Sequence, residues 1–196
     1  MKRLDGLKKI KTAVFISGNG SNLENLIKFS KKKNSPILIV LIVSNNPKAK
    51  GLRFSKKYNI KKMIFKSKVQ IKNENNILLY LKKNKIKLIC LAGFMKILSK
   101  NFIKKFGKKI VNIHPSLLPK YKGLNTYERI LKNKEIKTGC TVHYVNEKLD
   151  AGKSIVQKFF FITERDKSIT LKKKLKILNV KLFLKQLSKF IDIISF

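Results

Sequence analysis

Asn112 and His114 close the short apolar run 109–113 (KIVNI) and open the sequence His114-Pro115-Ser116-Leu117-Leu118-Pro119. In an extended chain alternate residues share a face, so these two side chains point to the same side. An imidazole exchanges a proton near neutral pH. A carboxamide can donate a hydrogen bond to a carbonyl oxygen as that oxygen gains negative charge. The two prolines hold the following loop rigid. The second histidine, His143, lies in the alternating stretch TVHYV, where the expectation is packing or a local hydrogen bond. Asp150, in Leu149-Asp150-Ala151-Gly152, is one of only ten acidic residues among 196. Two readings of it stand: an Asx-turn that stabilises its loop, or a carboxylate reaching over a sheet edge to His114, raising the imidazole pKa and helping to hold it protonated.

A different chemistry is written into Ser17-Gly18-Asn19-Gly20-Ser21-Asn22. Glycines let successive backbone N–H groups turn into one concavity, and a helix opening there adds partial positive charge that favours a phosphate. The spacing is not that of a dinucleotide fingerprint and no P-loop lysine follows, so the segment reads as a mononucleotide or sugar-phosphate cradle. The other reading is a glycine-rich turn with Ser21 as an ordinary helix N-cap.

These residues need a frame. Strands are expected at 12–17, 36–44, 62–65, 88–92 and 109–113, with helices at 23–33, 49–58, 77–83 and 98–106. That alternation, with short connections, predicts an open, doubly wound, mostly parallel α/β sheet with helices on both faces. In such sheets ligands bind outside the carboxyl ends of the strands, where both motifs above fall. The run 36–44 (PILIVLIVS) is apolar on both faces, as suits a central parallel strand. Residues 137–145 and 154–161 are too close for a crossover helix and are expected as an antiparallel hairpin. Residues 168–196 are expected as a C-terminal helix, and 1–196 as a single domain.

Composition bounds the function classes. Lys plus Arg total 47 against ten acids, a formal charge of +37, which first suggests nucleic acid. Yet 43 of the 47 are Lys, and Arg is the residue that forks onto phosphate and guanine. Ile (25) and Asn (17) are inflated with Lys while Ala (4) is scarce, the pattern of AT-rich coding applied to an ordinary protein. The runs 31–33 and 172–174 are expected as solvated faces. The longest apolar run is too short to span a bilayer. The basic start MKRLDGLKKIK has no apolar core of a secretory signal, and Cys90 and Cys140 show neither disulfide nor zinc spacing, so the expectation is a cytoplasmic protein with buried thiols.

Four segments, ISGNGSNLENLI, LAGFMKILS, VNIHPSLLPKYKGL and GCTVHYVNEKLDAG, in that order across residues 12–163, resemble the folate-dependent glycinamide ribonucleotide formyltransferases of purine biosynthesis. The resemblance implies the Rossmann-like formyltransferase fold. It implies formyl transfer from 10-formyltetrahydrofolate, as co-substrate, to the amine of the ribonucleotide, without a metal. Gly20, Ser21 and Asn22 match the loop that holds the substrate's 5-phosphate. Met95, Lys96, Ile97 and Leu98 match the segment lining the folate pocket, largely through its backbone, and Asn112 borders that pocket too. On residue type alone, Phe94, Met95 and Ile97 also read as core, and both readings stand. Asn112, His114 and Asp150 match the family's catalytic trio. Partners are then small molecules, with no specific nucleic acid and no membrane, and the state a monomer or homodimer.

The chain also departs from that family. Asn179-Val180 stands where Glu-His is expected, and Phe183-Leu184 where an aromatic-Pro pair is expected. Lys122 and Lys153 replace prolines, and Lys66, Lys68 and Lys72 all compete for a basic contact to folate or phosphate. Related formyltetrahydrofolate-using enzymes carry additional domains for which 196 residues leave no room. A basic binding module that kept the fold and lost turnover is the alternative from another class.

Overall fold

The computed structural model describes residues 9–65 and 70–189, which form two compact units, one of residues 9–65, 70–110 and 187–189 and the other Val111–Gln186. Lys66, Lys68, the tail 190–196 and the side chains of Asn179 and Val180 lie outside the described residues. The seven strands, β1 (Ile10–Ile16), β2 (Ile37–Ser44), β3 (Lys61–Ile64), β4 (Leu88–Leu91), β5 (Lys109–His114), β6 (Lys137–Tyr144) and β7 (Ser154–Phe161), run in the order β3-β2-β1-β4-β5-β6-β7, a mixed sheet with helices between all but the last two in sequence, as the alternating pattern predicts.

In the first unit β1 (Ile10–Ile16) pairs in parallel with β2 (Ile37–Ser44) and β4 (Leu88–Leu91), and β2 pairs in parallel with β3 (Lys61–Ile64). The apolar sequence of β2 is consistent with a strand that is paired on both sides. Between the strands lie α1 (Ser21–Ser30), a 3₁₀ turn Lys50–Leu52 leading into α2 (Arg53–Tyr58), α3 (Gln70–Lys83) and α4 (Lys100–Phe106). All four helix starts differ from expectation, by two to seven residues, and two of the differences have visible local reasons. The first helix begins at Ser21, two residues early, because Gly20 takes the cap position. The fourth begins at Lys100 because Ser99 caps it, its Oγ accepting the Phe102 N–H at 3.0 Å, and Gly107 in the left-handed region (φ 58°) ends it. Phe15, Leu23, Ile27, Leu41, Ile42 and Phe102 are fully buried between sheet and helices. Each such side chain contributes roughly 1.5–3 kcal/mol relative to exposure.

In the second unit β5 (Lys109–His114) pairs antiparallel with β6 (Lys137–Tyr144), which pairs antiparallel with β7 (Ser154–Phe161). The expected hairpin is therefore present. A helix absent from the expectations, α5 (Thr126–Lys132), fills the connection between β5 and β6, with Glu128 in its first turn and Arg129 and Lys132 in its last, as the helix dipole favours. Its Ile130 forms a core with Leu171 and Leu175 of α6 (Ser168–Lys189), under Tyr121, Tyr127 and Phe160. Phe183 is buried as well.

Both cysteines are fully buried, as their settings predict. Burial pushes the Cys90 thiol far above its ordinary range and that of Cys140 up to about 12, so neither is a nucleophile. The Lys runs 31–33 and 172–174 are exposed. Among the described residues no helix is long and apolar enough to cross a membrane.

Candidate active site

β5 delivers Asn112 and His114 to one side, and the register with β6 sets His143 directly opposite Asn112 and Thr141 opposite His114. Directly opposed side chains of an antiparallel pair meet. Asn112 Nδ2 lies 3.2 Å from His143 Nε2, and the Thr141 hydroxyl donates to the Ser116 carbonyl at 2.7 Å. Thr141 Oγ1 also accepts the Leu118 N–H (3.1 Å) and the Gln157 side-chain amide (2.8 Å). The loop after His114, which contains a cis Leu118-Pro119 bond, is thereby fastened to β6 and β7 by hydrogen bonds as well as by its prolines.

Asp150 enters from the β6–β7 connection. Its backbone is left-handed (φ 45°), and a side chain at neighbouring Gly152 would run into the Tyr144 carbonyl, so the tight turn depends on glycine there. The carboxylate joins both histidines. Oδ2 lies 3.2 Å from His114 Nδ1 and accepts the Gly123 N–H at 2.9 Å. Oδ1 lies 3.4 Å from Asn112 Nδ2 and 3.6 Å from His143 Nε2. Burial raises the pKa of Asp150, but His143, the Gly123 N–H and His114 together hold it below the usual carboxylate range. Of the two readings of Asp150, the carboxylate that reaches His114 is the one the geometry selects.

His114 is placed between two acceptors. Its Nε2–H donates to the Tyr121 carbonyl at 2.7 Å, and Nδ1 faces Asp150. Asp150 does push the imidazole pKa up, as expected, but burial outweighs it and brings His114 below an ordinary histidine. The ring is therefore not held protonated at neutral pH, which corrects that expectation. It is a neutral Nε2–H donor whose Nδ1 has a carboxylate ready to stabilise an incoming proton.

His143 is the residue that sequence reasoning undervalued. It makes the local bond anticipated for it, Nδ1–H to the Tyr144 carbonyl at 2.8 Å. Its Nε2 nevertheless belongs to the Asn112–Asp150 cluster. The available signal was the alternation of Thr141 and His143 opposite His114 and Asn112, readable only once the hairpin register is known.

In the first unit the loop 17–22 follows β1 and leads into α1. The N-cap is Gly20 (φ 73°), with no side-chain cap bond, so the reading of Ser21 as N-cap does not hold. The first-turn N–H groups are left for another acceptor. Asn22 Oδ1 is buried without a hydrogen-bond partner among the described residues, and turning its amide over would present Nδ2 as a donor. The loop is pressed against the 3₁₀ turn: Gly51 N donates to Gly18 O at 3.0 Å, and a Cβ on Gly20 would come within 2.5 Å of Gly51 Cα. Gly51 was not singled out from the sequence.

After β4, Met95 and Ile97 are each 64% exposed, Lys96 is half-buried with Nζ 5.0 Å from the Phe65 ring centre, and Leu98 is buried. Met95 and Ile97 are therefore not core. They present apolar surface at the carboxyl end of a central strand. Phe94 packs edge-on against Phe15 and Phe65. Lys72 is exposed on α3.

Known proteins resemble this chain along most of its length. The family model described as formyl transferase matches residues 10–187. A phosphoribosylglycinamide formyltransferase of Haemophilus influenzae is 43% identical over 154 residues, covering 77% of this chain and 72% of that protein. The human trifunctional purine biosynthetic protein adenosine-3 is 39% identical over 179 residues, 90% of this chain, which spans only 18% of that protein's length. The crystal structure of phosphoribosylglycinamide formyltransferase from Brucella melitensis superposes with a TM-score of 0.87 at 36% identity, covering 93% of this chain and 96% of that one. With the family model spanning nearly all of it and the two bacterial relatives this similar over most of their length, the chain belongs to the formyl transferase family, among its phosphoribosylglycinamide formyltransferases.

Proposed function

We propose that this chain, acting as a single formyltransferase domain on small molecules in the cytoplasm, transfers the formyl group of 10-formyltetrahydrofolate to the amine of 5′-phosphoribosylglycinamide. The observation that carries the reading is the joining of Asn112, His114 and Asp150 in one buried cluster, with an N–H donor, a titratable ring and a carboxylate in contact. The uncapped start of α1 with Gly20, Ser21 and Asn22 would take the phosphate, and the surface of Met95, Lys96, Ile97 and Leu98 would take the folate, to whose contacts the family resemblance adds Asn112.

In this mechanism the substrate amine attacks the formyl carbon, and negative charge develops on the former carbonyl oxygen. Asn112 Nδ2, releasing Asp150 Oδ1, and the Nε2–H of His114, re-aimed from the Tyr121 carbonyl, donate to that oxygen. Each such donor contributes on the order of 10²–10³ in rate. The amine's proton passes through a water to the pair formed by His114 Nδ1 and the Asp150 carboxylate, and returns through that water to the departing folate nitrogen. Asp150 stabilises the charge the ring carries in between. His143 keeps the Asn112 amide aimed.

The test is a spectroscopic assay of formyl transfer with the purified chain and both substrates. Turnover is expected. Absence of turnover combined with salt-sensitive RNA binding would replace this reading with the basic binding module.

A further inference from the structure

The ladder between β1 and β4 continues past both strands. Ala92 N donates to Phe15 O at 2.9 Å, and Ser17 N donates to Gly93 O at 3.1 Å. Gly93 then turns the chain away with φ 74°, and no further backbone pairing can follow that direction. At this point the Ser17 side chain takes over. Its Oγ accepts the Met95 N–H at 2.7 Å.

The hydroxyl has one hydrogen, and its destination decides which way the group faces. Ser17 Oγ–H donates to Asn45 Oδ1 at 2.5 Å. With the hydrogen committed there, a lone pair is left for Met95. Neighbouring Asn46 secures the same residue from the backbone side, its Nδ2 donating to Ser17 O at 3.2 Å, while Asn46 N and O are both engaged by Ser44 Oγ. One serine thus ties the ends of β1, β2 and β4 together.

The segment beyond Gly93 needs such a tie. Met95 and Ile97 are largely exposed, and the segment is anchored at its far end by buried Leu98 and by Ser99, whose N–H and hydroxyl both bond to the Glu74 carboxylate. Its near end is anchored at Met95, by Ser17.

From this geometry we infer that Ser17, oriented by Asn45, is a positioning residue for the formyl donor: it fixes the start of the 95–98 wall and thereby sets the affinity for the folate. This rests on the reading that residues 95–98 line the folate site. Ser17 touches neither substrate in this assignment. It acts through Met95.

The experiment is steady-state kinetics of wild type, Ser17→Ala and Ser17→Thr with each substrate varied in turn, together with melting temperatures and equilibrium binding of a non-reactive folate followed by fluorescence. Loss of a tie of this kind should raise the KM for formylfolate about fivefold to tenfold and weaken folate binding in parallel. The rise should exceed any change in kcat or in the KM for the ribonucleotide, and Ser17→Thr, which keeps the hydroxyl, should restore most of the effect. An unchanged formylfolate KM in Ser17→Ala, or an equal rise in both KM values, overturns the assignment while leaving the function in place. A wild-type chain that neither binds folate nor transfers formyl overturns the function and this assignment together.

Discussion

Asp150 Oδ2 stands 3.2 Å from His114 Nδ1, with both side chains almost wholly withdrawn from solvent. The two come from different elements, a strand end and a hairpin turn, and the turn exists because Gly152 permits it. The Gly123 N–H holds the same carboxylate oxygen, so the pair is fixed without help from either substrate. Such preorganisation is what a site needs if charge is to appear on the ring only transiently.

Removing either member should therefore abolish chemistry and spare the fold. His114→Ala and Asp150→Ala are each expected to lower kcat by roughly 10²–10⁴, with far-ultraviolet circular dichroism unchanged. Near-normal turnover in both variants would reject the assignment of the site.

The pH profile follows from the direction of the His114 shift. Burial places its pKa below the ordinary histidine value of 6.5, so the neutral ring required by the mechanism is present throughout the neutral range. kcat/KM should rise with pH through that lowered pKa and level off by neutrality. Asp150→Asn removes the charge that pushes the pKa up, so in the residual activity the acidic limb should move to still lower pH. Stability shares the sign: the fold disfavours the protonated ring, so this contribution is present above 6.5 and lost as pH falls toward the folded pKa. A limb centred above 6.5, or one that Asp150→Asn leaves in place, would count against this account.

Gly51 gives a prediction for the phosphate loop. A Cβ there would lie 2.7 Å from Ile16 Cδ1 and 2.8 Å from Gly20 Cα. The isoleucine end can yield, but the Gly20 backbone cannot move without carrying the loop with it. Gly51→Ala should raise the KM for the ribonucleotide by about tenfold or more, with a smaller change for formylfolate, since a cradle of backbone N–H groups depends on position at the sub-ångström level. Equal effects on both substrates would show general destabilisation instead.

The alternation of strand and helix was legible because β1, β2 and β4 are short, dense apolar runs followed closely by glycine or asparagine. Asn112 and His114 were legible as candidates because their types agreed with their place at a strand end, and Asp150 because a rare acid stood in a tight loop between two strands. α5 was not, because its seven residues present only Ile130 and Thr126 as buried positions, too few for a helical period to stand out. His143 and Gly51 were missed for another reason: the first depends on hairpin register and the second on a close approach of two backbones, and neither is a local property of the sequence. The protonation of His114 was misjudged because spacing shows a nearby carboxylate but not the burial that outweighs it.

Asp166 sets the start of α6. Its carboxylate accepts the Thr163 N–H and hydroxyl, both at 2.9 Å, the Thr170 hydroxyl at 3.2 Å and the Lys174 ammonium at 2.7 Å. Lys174 and these bonds hold its pKa down to about 2. A carboxylate with a depressed pKa contributes stability above its unfolded value, and that contribution is lost as pH falls through 3.8 toward about 2. Asp166→Ala should cost about 1–2 kcal/mol at neutral pH, measured by urea denaturation, and the difference from wild type should shrink in acid. A constant difference down to pH near 2 would mean the carboxylate's charge is not the source.

The charge of +37 now has a narrower meaning than a nucleic-acid footprint. The lysine runs lie on exposed faces, and the catalytic cluster contains no lysine. Both proposed substrates are anionic, one a phosphate ester and the other a folate with a glutamate tail, so the protein's field can raise their encounter rate. At about 0.15 M salt the screening length is near 8 Å, and distant lysines then contribute little. kcat/KM for both substrates should fall as salt rises from about 0.05 to 0.5 M, while kcat, which follows encounter, stays constant. A kcat/KM independent of salt would remove the steering role and leave the lysine excess to solubility and coding bias alone. A fall in kcat itself would place salt-sensitive ion pairs inside the catalytic step, against the neutral resting cluster of His114 and Asn112.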